Sequence, residues 1–309
     1  MSAVGMLFIA YIVLLLSMMV FLGCRDERSL RLNPKGDVFG IEFAKAAQYE
    51  SLKLQSISRC EKKAPESYPK SIYLKDYDIG VEYRVRENPS SRNIAVSMQT
   101  ADVISFDMFD SVEAFSSEYA ALYVLRDTKM VPTILEPVCG VCNMVVTDFE
   151  GQTKSLRQYF ESSSGYNETL ATMIGIEAMR IIRMVHSYGI VHGSIPLDSF
   201  VYDASLAHPS KLKLVDWGSS SLFVNVDTED HIVDKSSKLS RRDDMAALGT
   251  MVLTLLLGEP PFEDVDWAQV PPPFRAIHTY SRSLGFRQRP RLEFLIRSFI
   301  EHSNRLHRH

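Results

Sequence analysis

From Met6 to Leu22 the side chains are almost wholly apolar, and no charge stands between Met1 and Cys24. A buried globular helix normally keeps a polar face, so this run predicts a signal-peptide core or a single membrane-spanning helix. Residues 25–72 are polar and mixed and read as a linker carrying an accessory helix in "GIEFAKAAQYESLKLQ". From Tyr73 the pattern turns to strands. "VEYRVR" alternates, "ENPSSRN" is rich in turn residues, and "NIAVSMQ" is a second apolar run, which together predict a hairpin. "SVEAFSSEYAALYVLRD" sets Val112, Phe115, Tyr119, Leu122 and Leu125 at helical spacing, and "VPTILEPV" and "CNMVVTDF" complete a small sheet. Beyond residue 150 the pattern becomes helical. A long helix in "ETLATMIGIEAMRIIRMVHSYG" stops at Gly189, and an apolar helix in "DMAALGTMVLTLLLG" is closed by Gly258 and Pro260. The strand pair "FVYD" and "KLKLVDWG" lies between them, and "RLEFLIRSFIEH" makes a last helix. The expected class is α+β: a leader over 1–24, a linker over 25–72, a strand-rich lobe with one helix over 73–150 and a helix-rich lobe over 151–309.

Composition narrows the function. The chain has 309 residues, 46% of them apolar and 23% charged, which is enough apolar material for a large core and argues against disorder. A formal net charge of −4 gives no general basic surface, and no zinc-finger spacing or aromatic-basic repeat is present, so nucleic acid is excluded as a partner. Cys139 and Cys142 form a lone C-x-x-C beside Cys24 and Cys60. One such pair falls short of the four ligands of a structural zinc and reads as small residues in a strand or turn, or as a disulfide if the domain is lumenal. Arg25, Arg28 and Arg31 follow the apolar run, so an uncleaved anchor would leave the rest of the chain in the cytosol. Cleavage near Gly23 or Cys24 would set Phe21 or Leu22 where a small residue is preferred. The reading adopted is entry into the secretory pathway, with the product secreted or membrane-anchored.

Chemistry concentrates in "HSYGIVHGSIPLDSF" and "VDWG". The first is similar to the protein-kinase catalytic loop H-R-D-L-x-x-x-N and the second to D-F-G, while "DDMAALGTMVLTLLLGEPPF" is similar to the sixth kinase helix and "VVTDFEG" to the gatekeeper and hinge. In this order and spacing the chain resembles a protein-kinase domain from about Tyr73 to Arg305, which implies a bilobal fold with ATP and Mg²⁺ as cofactors. The same register sets Thr147 as gatekeeper with Asp148 and Phe149 in the hinge, Gly80 as the third glycine of the phosphate loop, and Ala95 and Val201 above and below the adenine.

Where the resemblance implies chemistry, the residues depart from it. Ser97 takes the place of the strand lysine, Ser194 that of the catalytic aspartate and Ser199 that of the metal-binding asparagine. Glu118 keeps the helix glutamate, and Asp216 keeps the metal-binding aspartate of D-W-G. A serine hydroxyl neither neutralises phosphate charge nor accepts a proton near neutral pH. His192, Trp217 and Asp244, by contrast, fall at scaffold positions and are compatible with a retained shape. The expectation is a pseudokinase that binds or regulates a protein partner. Gly193 before Ser194, with the apolar leader, is similar to the rhoptry-type secreted kinases of apicomplexan parasites, which implies an active kinase or a host factor as partner. Two alternatives stand beside it. One is a divergent active kinase using Lys75, Arg84 or Arg86 for the lysine and Asp198 for the base or a metal ligand; the other is a membrane-tethered scaffold that binds no nucleotide.

Overall fold

The computed structural model describes residues 38–59, 71–76, 79–86, 93–97, 103–138, 143–148, 153–162, 167–203, 211–225, 230–231, 239–258, 260 and 262–308. The chain divides into two units, 1–40 and 41–309. Of the first, only residues 38–40, which open helix α1 (Val38–Arg59), are described. The apolar run Met6–Leu22 and all four cysteines lie outside the described residues. Among the described residues no helix is long and apolar enough to cross a membrane.

The architecture is mixed α+β. Strands β1 (Ser71–Asp76), β2 (Ile79–Arg86), β3 (Asn93–Ser97), β4 (Val103–Phe109), β5 (Ile134–Val138) and β6 (Asn143–Asp148) form one antiparallel sheet in the order β1-β2-β3-β4-β6-β5. The expected hairpin is the β2–β3 pair, with Tyr83 opposite Ser97. Two strands were not foreseen, β1 and β4. β4 is central: it inserts between β3 and β6, buries Ile104 and Phe106 on one face, and sets the equally buried Ser105 on the other.

Helix α2 (Val112–Leu125) follows β4 directly. Ser111 is extended, and its hydroxyl accepts the Ala114 N–H at 3.0 Å, satisfying an N–H that the helix cannot pair itself. Val112, Phe115, Leu122 and Leu125 are buried as the spacing predicted, and Tyr119 is half-buried.

Strand β7 (Thr153–Ser155) leads into the helix-rich part: α3 (Leu156–Ser162), α4 (Glu168–His186), α5 (Arg241–Leu257), α6 (Pro272–Ser283) and α7 (Leu292–Leu306). Asn167 caps α4 by accepting the Leu170 N–H at 2.8 Å, and Asp243 closes the start of α5 by accepting the Ser240 N–H at 2.7 Å. α5 lies against both α4 and α6 and is apolar on most of its circumference, burying Met245, Leu248, Val252 and Leu255. Gly249 allows α6 to come close, since a Cβ there would lie 2.7 Å from the Ser281 hydroxyl. The core runs without a break from Phe115 and Leu122 through Met179 and Trp217 to Phe274 and Phe299.

Short strands connect α4 to α5: β8 (Ile190–Val191), β9 (Phe200–Asp203), β10 (Lys213–Leu214), β11 (Ser221–Leu222), β12 (Val224–Asn225) and β13 (Asp230–His231). β9 pairs with both β10 and β7, and β8 pairs with β11.

Candidate functional site

The β8–β11 rungs, with Val191 opposite Ser221 and Ile190 opposite Leu222, make the chain leaving β8 at His192 run beside the chain entering β11 from Asp216. The Val215 N–H donates to the Ser199 carbonyl at 2.9 Å and ties the far ends of the two segments together. This juxtaposes the two motifs that the sequence singles out.

His192, Trp217 and Asp244 hold the segments in place. His192 is fully buried, with Nε2 2.9 Å from the Val215 carbonyl and its ring edge-on to Trp217 at a centroid distance of 4.6 Å. Burial pushes the imidazole pKa down from 6.5, against the opposing pull of Asp244 and of backbone hydrogen bonds. Trp217 is also fully buried, and its indole N–H donates to the Leu214 carbonyl at 3.1 Å, so the larger ring brings its own polar partner. Asp244, on α5, accepts the backbone N–H groups of His192 at 2.9 Å and Gly193 at 2.8 Å, and its Oδ2 lies 2.9 Å from His186 Nε2. Burial alone would raise this carboxyl; His186, His192 and the Gly193 N–H outweigh it and hold the pKa below the ordinary value.

In these two segments Gly193 and Asp216 carry left-handed backbone. Gly193 has φ +86°, and a Cβ there would lie 2.7 Å from the Ser219 carbonyl oxygen and 2.8 Å from Leu239. Only glycine fits. Asp216 has φ 67° and ψ 56° and heads the 3₁₀ turn Trp217–Ser219 with its side chain exposed. A non-glycine residue pays about 1–2 kcal/mol for that conformation, which the surrounding packing must offset.

The loop hydroxyls turn inward or away. Ser194 is exposed, and its N–H lies 3.4 Å from His192 Nδ1; Ser199 is buried and donates its hydroxyl to the Ser194 carbonyl at 3.4 Å. Asp198, the one carboxylate between His192 and Ser199, is drawn toward α3 and β7. Its Oδ2 accepts from Arg157 Nε at 2.8 Å and its Oδ1 from the Ser155 hydroxyl at 3.1 Å.

The remaining positions lie on the sheets. Thr147 is buried on β6, with its hydroxyl 3.0 Å from that of Ser105, its partner across the ladder. Asp148 accepts the Thr133 N–H at 2.6 Å and so fastens the entry to β5. Val201, on β9, is buried between Ser155 and Lys213 in register. Gly80 pairs with Lys75 on β1, Ala95 sits between Val85 and Ile104, and Ser97 ends β3. β4 thus separates all three from the strand that carries Thr147. Glu118 is 2% exposed on α2, and Phe149 lies outside the described residues.

Three residues in this region escaped the sequence reading. Asp107 lies two positions beyond Ser105 on β4, on the same face and opposite Val145. The alternation in "VISFDMF" was the available signal. Arg157 and Tyr49 had none, because each acts through a contact distant in sequence: Arg157 on Asp198, and the Tyr49 phenol on Ser220.

Among the described residues no group of three or more His, Cys, Asp or Glu side chains is placed to hold a metal ion. No protein-family model matches the chain.

Proposed function

We propose that the chain is a pseudokinase, a two-lobed protein-kinase-like module that binds or regulates a protein partner and transfers no phosphate. The observation that carries this reading is Asp198 held by Arg157 and Ser155. It is the loop's one carboxylate, and it is already engaged as an acceptor on the α3 side. Ser194, at the base position, offers only a hydroxyl, and losing a positioned base removes about 10²–10⁴ in rate.

Strand order supports the reading and changes its register. In a kinase the lysine strand lies beside the gatekeeper strand and precedes the glutamate helix. Here β4 meets both conditions, so we move the lysine position from Ser97 to Asp107, and the adenine-facing alanine position from Ala95 to Ser105. A carboxylate then stands on the strand before α2, which carries Glu118, where kinases set a lysine against a glutamate. A carboxylate at that point cannot neutralise a triphosphate as a lysine does.

ATP with Mg²⁺ does not fit this set of donors. Asp216 is exposed and supplies one carboxylate, while the Ser199 hydroxyl is bonded back to its own loop. The divergent-kinase alternative requires Asp198 to leave Arg157. The apolar leader supports action in the secretory pathway or after secretion, on an active kinase or a host factor. The test is thermal-shift titration with ATP and Mg²⁺, since a ligand that binds only the folded form must raise the melting temperature. The reading predicts no turnover and no more than a small shift; a large shift accompanied by phosphate transfer overturns it.

A further inference from the structure

Helices α5 and α6 are held close at Gly249 and Ser281, and beside that contact lies a groove of about 690 Å³ lined largely from α6. Arg275, His278, Thr279 and Arg282 all line it from α6, Thr250 faces them from α5, and Phe262 and Trp267 form an aromatic wall. A second cavity of about 630 Å³ shares Thr250, Pro260 and Arg282 with the first and continues the groove toward Ser194. Two adjoining cavities that share three lining residues suit an extended chain better than a compact small molecule.

Its charge is unusual for this protein. The whole chain carries −4, yet Arg275 and Arg282 both line the groove, and neither has a carboxylate within ion-pairing distance among the described residues. Among the described residues Glu263 is the one acidic side chain that lines the groove, and it is exposed and makes no ion pair with them. Trp267 stacks on His278 with a centroid distance of 4.7 Å and an interplanar angle of 13°, giving a flat apolar surface beside the two guanidinium groups. Burial, and then Arg282, push the His278 pKa down, so the imidazole stays neutral and the positive charge of the groove rests on the arginines.

We propose that the groove between α5 and α6 binds an acidic peptide segment of a protein partner, with Arg275 and Arg282 holding its carboxylate or phosphate groups and Trp267 its apolar side chains. Guanidinium groups recognise such anions through paired, charge-assisted hydrogen bonds, and an unpaired arginine loses no existing partner on binding. The proposal gives the binding-module reading a partner chemistry and rests on it in that respect alone. The residues that line it include neither Asp216 nor any residue of the six-stranded sheet.

The test uses the full chain and short fluorescein-labelled peptides: alternating glutamate and glycine, the same peptide with one phosphoserine, and a lysine counterpart. Binding is read by polarisation and by tryptophan emission. The sequence has two tryptophans, and Trp217 is fully buried, so a change in emission reports Trp267. The expected result is saturable binding of an acidic peptide, absent for the lysine peptide and weakened about tenfold by Arg275→Ala or Arg282→Ala. Arg180→Ala, on the exposed face of α4, leaves it unchanged, and added salt weakens it. Three results overturn the proposal: no saturable binding, binding that survives both groove substitutions, or equal competition by inorganic phosphate, which would make the groove a small-anion site. Phosphate turnover, measured separately, tests the pseudokinase reading, so the two failures are distinguishable.

Discussion

The Tyr49 phenol donates to the Ser220 carbonyl at 2.9 Å and lies 3.0 Å from the Ser220 hydroxyl, joining residues 171 positions apart. The Ser220 hydroxyl in turn lies 3.4 Å from the Ser117 carbonyl on α2. Helix α1 thereby fastens α2 to the segment that follows Asp216. Ala46, one turn earlier on α1, adds a buried contact with the cluster formed by Val191, Phe223 and Val224.

Tyr49→Phe deletes a buried hydroxyl and leaves the Ser220 carbonyl short of a donor, at a cost of about 1–3 kcal/mol. Tyr49→Ala also opens a cavity and costs about 3–5 kcal/mol. Chemical denaturation of the two variants checks the order. Equal and negligible losses would mean that α1 does not brace this region.

The backbone at Gly193 leaves no room for a side chain. The positive φ and the 2.7 Å approach to the Ser219 carbonyl act together, so Gly193→Ala already costs about 2 kcal/mol or more, and Gly193→Arg costs at least as much. Melting temperatures of both variants test this. A neutral Gly193→Ala would show that the loop adopts another backbone.

Stability falls with acid in two stages. The folded-state pKa of His192 is depressed below 6.5, so the unfolded chain takes up the proton first and stability declines as pH falls below about 6.5. The Asp244 pKa is depressed below 3.8, so its contribution is complete above about pH 4 and is lost as pH falls through the folded value. Unfolding free energy measured from pH 8 to pH 3 should decline in both windows. In His192→Gln the first decline should shrink, and its persistence at full size would assign it to another group.

Arg157→Ala removes the ion pair of Asp198, which keeps the Ser155 hydroxyl, without burying a charge. The two side chains are 35% and 39% exposed, so the ion pair contributes no more than about 1 kcal/mol. The expected variant is folded, slightly less stable and still inactive as a phosphotransferase. Phosphate transfer appearing in Arg157→Ala would mean that Asp198 is a base held in check.

The fold was legible where periodicity and caps agreed. α2 follows its apolar spacing, and α4, α5 and α7 lie in the helical segments that the pattern marked out, with Gly258 after the end of α5 as expected. α6 went unread although Phe274, Ile277 and Ser281 fall on one helical face and proline at its first turn was a usable start signal. The contacts of His192 with Trp217 and Asp244 were legible because each of the three sits in a motif of fixed spacing. The sheet register was not. A six-stranded order depends on which strand lies beside β6, and β4, unread in the sequence, shifts that neighbour from Ser97 to the strand with Ser105 and Asp107. The ion pair of Asp198 with Arg157 spans 41 positions and has no local sequence signature.

The central claim is tested most directly by incubating the full chain with γ-labelled ATP, Mg²⁺ and a generic protein substrate, alongside the Asp216→Ala variant. The account predicts label incorporation, into the chain itself or the substrate, that is indistinguishable from that of the variant. Incorporation well above background that disappears in Asp216→Ala would contradict it.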